Sequence, residues 1–343
     1  MRFLLLYNMQ SGKISIIIPF KNTAHFLPEC LDSILNQSYK NWEVLAVNDH
    51  SKDQSFNLVS AYAEKDERFK VFQIKGNGII PALQTGYAQS TGEFVTRMDS
   101  DDIMKPNRLQ VMVDSLLKNG EGHVAVGQVK YFSKRGISNG YERYEAWLNQ
   151  LTSQGTNFSE IFKECVIPSP CWMTYRQDFE ACGGFEHHSY PEDYDLTFRF
   201  YEAGLKIIPC DQILHLWRDY NTRTSRTHEH YAQNYFLDIK LYYFLKLEFD
   251  KNRPLVVWGA GFKGKKIALG LKKQKIDFVW LCNNPKKIGK KIYGKRMVHF
   301  NELKNLENPQ SIITVANEDS QREIVGCFNE LGQKPMIDYF FFC

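Results

Sequence analysis

The chain of 343 residues contains nothing near the roughly 18 consecutive apolar residues that a membrane-crossing helix requires. It has no internal repeat and no low-complexity tract, which argues against solenoids and fibrous folds. Its eight cysteines, at 30, 165, 171, 182, 210, 282, 327 and 343, form no CxxC pair and no metal-ligand spacing. Scattered in this way, they read as core residues of a reducing compartment. Nor does one sign of charge dominate: 43 Lys and Arg stand against 39 Asp and Glu, a net +4. A protein whose main task is wrapping nucleic acid is far more basic, so no nucleic-acid partner is expected. The opening Met1-Arg2-Phe3-Leu4-Leu5-Leu6-Tyr7 is apolar but lacks a small-residue cleavage site after it. A signal peptide is therefore not expected, Met9 is a second candidate start, and a cytoplasmic location is the default expectation.

What is present is a chain able to fold. Hydrophobic residues make up 43% and aromatics 14%, enough for packed cores, and the length suits two domains of about 150 residues each. Ile14 to Pro19 is a β-branched run of the kind buried in parallel sheets. Phe26, Leu27, Cys30, Leu31, Ile34 and Leu35 then recur at helical spacing. Further strands are expected at 44–47, 71–74 and 94–98, with helices at 55–65 and 79–89, the latter carrying Pro81 in its first turn. Such alternation means α/β with a doubly wound, mainly parallel sheet. Beyond residue 120 the pattern loosens into aromatic-rich helices expected around 142–164, 192–203 and 229–247. The polar stretch Phe249-Asp250-Lys251-Asn252-Arg253-Pro254 marks a boundary. After it come a strand at 255–258, a glycine turn, a helix to about Lys273, strands at 278–282 and 312–315, and a helix over 320–331. The expected organisation is an N-terminal extension at 1–12, a catalytic domain at 13–250 and a smaller Rossmann-like α/β domain at 251–343.

Ligands of open α/β sheets bind beyond the carboxyl ends of the strands, and three acidic clusters stand at such ends or in a partner loop. They are Asn48-Asp49-His50-Ser51, Asp99-Ser100-Asp101-Asp102 and Pro191-Glu192-Asp193-Tyr194-Asp195-Leu196. Asp99 and Asp101 alternate at the end of an extended segment, where residues i and i+2 face one side. Two such carboxylates suit a hard divalent cation, Mg2+ or Mn2+, whose shell substrate phosphates complete. An isolated DxDD is more often a solvated turn capping the helix near Pro106; its place after a buried strand, and its company, reverse that reading. Asp193 stands at a helix start, where it either complements the helix dipole or serves as a general base.

Together these residues are recognisable. Ile14-Ser15-Ile16-Ile17-Ile18-Pro19-Phe20-Lys21-Asn22, Leu31 to Tyr39 and the Asn48-Asp49-His50-Ser51 turn resemble the opening of family-2 glycosyltransferases. Gly92 to Asp102 is similar to that family's metal-binding stretch, and Pro191 to Leu196 to its catalytic-base motif. Trp217-Arg218-Asp219 and Thr224-Ser225-Arg226-Thr227 resemble a tail found in a bacterial branch of the family. The resemblance runs from residue 13 to about 245. It implies a GT-A fold and an inverting transfer from a nucleotide-sugar donor, a UDP-sugar, to a hydroxyl of a growing cell-surface glycan or glycolipid. Peripheral association with the inner face of the cytoplasmic membrane is a further expectation, which the mildly basic surface would suit.

By the same resemblance, Pro19, Asn22 and Asp49 belong to donor binding, Asp49 accepting a nucleobase N–H. Asp99 and Asp101 would hold the cation, Asp99 serving the donor as well, and Asp193 would deprotonate the acceptor hydroxyl. Arg97 and Arg218 carry guanidinium groups that suit diphosphate oxygens, although Arg97 could equally neutralise Asp102. The sequence departs from the family pattern at Asn48, which replaces an acid, and at Lys21, which replaces an aromatic and could reach a phosphate. It departs again at Gln84, which replaces Asn, and at Tyr220, which replaces a common histidine. His215 reads as a packed core residue, and His187, His188, His228 and His230 as solvated loop residues.

Gly259-Ala260-Gly261-Phe262-Lys263-Gly264 is a second signal, a glycine turn between strand and helix that fits a phosphate loop of Gly259, Gly261 and Gly264. A nicotinamide enzyme would carry an acid about 20 residues on, where Cys282-Asn283-Asn284 stands instead. The alternatives to a glycosyltransferase are therefore a dehydrogenase or nucleotide sensor built on this turn, and a nucleotidyltransferase. The latter needs a Gly- and Arg-rich loop where Phe20-Lys21-Asn22-Thr23 stands.

Overall fold

The structure, a computed structural model, describes residues 12–186, 189–223 and 236–343. Residues 1–11 of the expected extension at 1–12, the four loop histidines, the Thr224-Ser225-Arg226-Thr227 stretch and the expected helix start at 229–235 lie outside the described residues. The chain divides into two compact units: Met1–Asn157 with Ile167–Tyr220, and Phe158–Val166 with Asn221–Cys343.

The first unit is built on an eight-stranded sheet. Its strands are β1 (Ile14–Phe20), β2 (Trp42–Asn48), β3 (Phe69–Gln73), β4 (Phe94–Arg97), β5 (Ile103–Met104), β6 (His123–Phe132), β7 (Trp172–Tyr175) and β8 (Lys206–Arg218). The order is β3-β2-β1-β4-β7-β6-β8-β5. The first four are parallel, β7 is antiparallel to both its neighbours, and β6 and β8 pair parallel. Helices α1 (Leu27–Leu35), α2 (Ser55–Lys65), α3 (Ile79–Ala88), α4 (Arg108–Asn119), α5 (Asn139–Gln154), α6 (Arg176–Ala181) and α7 (Glu192–Glu202) connect them. β1 and β2 are buried almost throughout, as their unbroken apolar runs predict. α3 lies so close to them that a Cβ on Gly86 would come within 2.8 Å of Ile17 Cγ2. The helix expected over 142–164 ends instead at Gln154. There Gly155 adopts φ +65, the left-handed geometry that terminates helices, and a short 3-10 turn follows at Asn157–Glu160.

The second unit contains α8 (Phe236–Leu247), β9 (Leu255–Trp258), α9 (Phe262–Lys273), β10 (Val279–Cys282), β11 (Lys291–Ile292), β12 (Lys295–His299), β13 (Gln310–Ile313), α10 (Glu318–Glu330) and β14 (Tyr339–Phe341). The sheet order is β11-β12-β10-β9-β13-β14, parallel except for the β11–β12 hairpin. Without the hairpin strand, the five others run 3-2-1-4-5, the order of a doubly wound nucleotide-binding sheet.

This division differs from the expected boundary near residue 250. α8 goes with the second unit, and so does a segment from the middle of the chain. Phe162, 1% exposed, stacks on Phe342 at 5.5 Å and meets Phe244 and Phe340 edge-on. Lys240 of α8 is buried and donates to the carbonyls of Lys163 and Phe342, at 2.8 and 3.4 Å. A chain ending at residue 250 would keep Phe162 and Phe244 but lose Phe340 and Phe342.

Candidate active site

Parallel β1, β2 and β4 deliver their carboxyl ends to one edge of the first sheet. At the end of β1, Lys21 pairs with Asp49 at 3.0 Å, and Asp49 N–H donates to the Phe20 carbonyl at 2.9 Å. Asp49 is 6% exposed, and its Oδ1 is buried without a partner. Asn22, at φ +53, accepts from Lys52 N–H through Oδ1 at 2.7 Å, so its side chain ties the β1 loop to the β2 loop. Pro19 is half-buried, one residue before the end of β1. Asn48 bonds Gln73 at 2.6 Å, and Gln84 donates to the Phe185 carbonyl at 2.9 Å.

The acidic cluster after β4 is a turn, which corrects the strand geometry expected for it. β4 ends at Arg97, and Asp102 N–H donates to the Asp99 carbonyl at 3.3 Å. Asp99 and Asp101 therefore stand in one turn and not on a pleated strand. Asp101 Oδ2 accepts from the Tyr220 hydroxyl at 2.8 Å, while its carbonyl accepts from Arg218 Nε at 2.6 Å. Arg218 also reaches Glu29 at 2.6 Å.

Asp102 is fully buried, accepting from Arg218 N–H at 2.7 Å and from His215 Nε2 at 3.0 Å. Arg108 donates to His215 Nδ1 at 3.1 Å. Because arginine only donates, Nδ1 must be the acceptor and the ring proton sits on Nε2, facing Asp102. This buried relay holds the turn from behind. His215 is thus the core residue expected, with a defined partner at each nitrogen.

Arg97 joins this turn to the third cluster. Its buried guanidinium contacts Asp99 Oδ1 at 2.9 Å and Glu192 Oε1 at 2.8 Å. It does not take up the pairing with Asp102 considered from sequence, because His215 and Arg218 already fill that carboxylate. Burial opposes charge on Arg97, but the surrounding acids Asp99, Glu192 and Asp193 outweigh it and hold the group charged. Glu192, Asp193 and Asp195 occupy the first turn of α7. Asp195 is committed to Arg199 at 2.8 Å, and Arg199 in turn caps the carbonyls of Cys182 and Gly184. Asp193 is different. Burial, and after it the Glu192 carboxylate, push its carboxyl up to about 7, against the opposing pull of Arg97 and of the Tyr194 N–H at 2.8 Å. An acid with that value exchanges protons at neutral pH.

Among the described residues no group of three His, Cys, Asp or Glu side chains is placed to hold a metal. Asp99 and Asp101 are two half-buried hard-oxygen donors in one turn. That set fits Mg2+ or Mn2+, which bind through one or two carboxylates when substrate phosphates supply the rest of the shell. Sequence reasoning named Glu192 and Tyr220 but not their partners, and it missed the Arg108–His215–Asp102 relay. The extra acids and the Trp217-Arg218-Asp219 context were visible, but their partners lie about a hundred residues away.

In the second unit, Gly259 sits at φ +129, and an added Cβ would lie 2.3 Å from Thr314 Oγ1. A Cβ on Gly264 would lie 2.1 Å from the Gly259 carbonyl, whereas one on Gly261 would meet nothing within 4 Å. Packing thus explains two of the three glycines. Asn283, where a ribose-binding acid would stand, accepts from Trp258 Nε1 at 3.1 Å.

The family model described as Glycosyl transferase family 2 matches residues 15–183. The glycosyltransferase GlyG of Streptococcus pneumoniae is 34% identical over 227 residues, covering 63% of this chain and 74% of that protein. The chain belongs to glycosyl transferase family 2. GlyA of the same organism is 33% identical over 122 residues, but the match covers 36% of this chain and only 17% of that longer protein. Among solved structures, S. aureus TarS 1–349 in complex with UDP-GlcNAc superposes with a TM-score of 0.53 at 19% identity, covering 74% of this chain and 70% of that one. The mannosyltransferase PcManGT from Pyrobaculum calidifontis, in complex with GDP-Man and Mn2+, gives 0.51 at 18%, covering 69% and 64%. The fold is that of the GT-A glycosyltransferases, as the resemblance implied.

Proposed function

We propose that the chain is an inverting glycosyltransferase moving a sugar from a nucleotide-diphosphate donor, a UDP-sugar, to a hydroxyl of a cell-surface glycan or glycolipid. The observation that carries this is Arg97: one buried guanidinium holds both the acidic turn and the start of α7, so Asp193 lies within the electrostatic reach of Asp99. A base works best when its pKa is near the operating pH. Asp193 takes the proton of the acceptor hydroxyl as that oxygen attacks the anomeric carbon. The bond to the diphosphate breaks in the same displacement, its electron pair leaves with the phosphate, and the configuration inverts.

Asp49 Oδ1 is an acceptor awaiting an N–H, since a buried unpaired acceptor costs about 1–3 kcal/mol until it is satisfied. A nucleobase N–H fits it, with Pro19 alongside and Asn22 holding the loop. Asp99 and Asp101 would hold the divalent cation, which supplies charge neutralisation on the leaving diphosphate. The nucleotide-sugar complexes of TarS and PcManGT, the latter with Mn2+, support the donor class and the cation. Arg97 and Arg218 act here by orienting acids, because both guanidinium groups are already occupied by protein oxygens.

Neither alternative has comparable support. The β1 loop shows no Gly- and Arg-rich phosphate cradle, and in the second unit Asn283 is spent on Trp258. The test is a nucleotide-sugar panel with Mn2+. The true donor at 100 times its Kd should stabilise the fold by about 2.7 kcal/mol, and NMR of the product should show the anomeric configuration opposite to the donor's. Retained configuration overturns the single displacement.

A further inference from the structure

Between Lys263 and Arg296 the chain carries twelve lysines and arginines and one acid, Asp277; everywhere else it carries 31 basic residues against 38 acidic. The whole positive excess of the protein is therefore concentrated in 34 residues of the second unit. Even Asp277 is spent, paired with Lys295. α9 turns Phe262, Lys265, Leu269, Lys272 and Lys273 to solvent, an i, i+3, i+4 stripe along one face. Two members of the stripe are apolar and exposed, Phe262 at 64% and Leu269 at 37%.

The β11–β12 hairpin adds to this face. Tyr293 and Gly294 both have positive φ, +53 and +85, as a two-residue primed turn requires. The turn leaves Tyr293 39% exposed at its tip, with Lys290, Lys291 and Arg296 exposed beside it. The carboxyl end of α9 and this turn line one shallow hollow, through Lys272, Lys275, Tyr293 and Lys295.

Lysine-rich faces are ordinarily just solvated. Large apolar groups set among the lysines set this one apart: the side chains of Phe262 and Leu269 and the ring of Tyr293 make no hydrogen bonds to water. A soluble phosphate polymer would engage the cations and leave those three exposed. A bilayer interface accommodates both, with rings and aliphatic groups at headgroup depth and ammonium groups among anionic lipids. We propose that the α9 face and the Tyr293 turn dock the chain on an anionic lipid bilayer. This reading is independent of the transfer chemistry, because it uses no residue of the first unit.

The test is co-sedimentation of the full chain with vesicles of phosphatidylcholine alone and of phosphatidylcholine mixed with phosphatidylglycerol. Binding is expected only to the anionic vesicles and should weaken as salt screens the surface. Lys272→Gln, Lys275→Gln and Lys291→Gln should each lower partitioning about fivefold. Phe262→Ser with Tyr293→Ser should lower it at unchanged charge. All five side chains are exposed, and unchanged thermal unfolding will confirm that each variant folds. Equal binding to both vesicle types overturns the proposal, as does parental binding by the lysine variants. So does soluble polyphosphate that competes fully while Phe262→Ser/Tyr293→Ser binds vesicles like the parent, which would make the face a polymer site.

Discussion

In the first unit, strands β3, β2, β1 and β4 lie parallel in that order; in the second, β12, β10, β9 and β13 repeat it. Both sheets therefore open a crevice at the carboxyl ends beside their first strand. In the first, the loops there carry Asp49, Asp99 and Asp101, Arg97 ties Asp99 to Glu192 beside Asp193, and Asp49 keeps a buried oxygen without a partner. In the second, the corresponding loops are closed on themselves: Gly264 packs on Gly259, Asn283 holds Trp258, and Lys287 donates to the Ala260 carbonyl at 2.7 Å. Its charge lies on α9 and the hairpin instead. Topology makes the crevice, and the side chains left with unspent polar groups decide whether chemistry happens in it.

Asp193→Asn attacks the contrast where it is greatest. Turnover should drop by about 10²- to 10⁴-fold, with donor binding retained. In the parent enzyme, kcat/KM should rise with pH through about 7, because the carboxylate is the active form. The sign for stability is opposite. A folded-state pKa above the ordinary carboxyl value favours the fold at acid pH, and that contribution is lost as pH climbs from about 4 through about 7. The Asn variant should lose both dependences; a parent rate that is flat between pH 5.5 and 8.5, a window set roughly around that value, moves the base elsewhere.

The next effect concerns the cation. Asp101→Ala should weaken Mn2+ binding in the presence of UDP by more than about 100-fold, and Tyr220→Phe, which releases Asp101 Oδ2, by roughly tenfold. Calorimetry checks both, and equal losses would show that Tyr220 does more than orient Asp101.

Arg97→Met leaves Glu192 and Asp99 without their shared partner. Breaking a buried pair in this way costs about 3–5 kcal/mol, readable by equilibrium denaturation. It should also move the pH midpoint upward, since Arg97 is what pulls the Asp193 carboxyl down. A midpoint that stays in place would separate the two carboxyl clusters electrostatically.

The smallest effects test the second crevice. Gly264→Ala places a Cβ against the Gly259 carbonyl and should cost about 1–3 kcal/mol as overpacking. Gly261→Ala meets nothing and should fall within about 0.5 kcal/mol. A Gly261→Ala variant that keeps its stability but changes nucleotide binding would restore a ligand role for that turn.

The sequence alone determined the elements whose signal is local. β1, β2, α2, β9 and α9 lie within a residue or two of where unbroken apolar runs and helical spacing put them, because each records its own burial in its own side chains. The acidic clusters were legible for the same reason: strand ends and helix starts have local signatures, and ordered motifs identified the family. What only the tertiary structure decided depends on partners far apart in the chain. Asp101 and Tyr220 are 119 residues apart, Asp102 and His215 are 113 apart, and Arg97 and Glu192 are 95 apart. No periodicity encodes such pairings. The short strands β5 and β11 are held by their neighbours and carry too few residues to show a pattern of their own. Phe158–Val166 joins the second unit for a similar reason. Its aromatic character was plain, but the phenyl rings that cover Phe162 belong to α8, to β14 and to the residue just after it, and only folding brings them together.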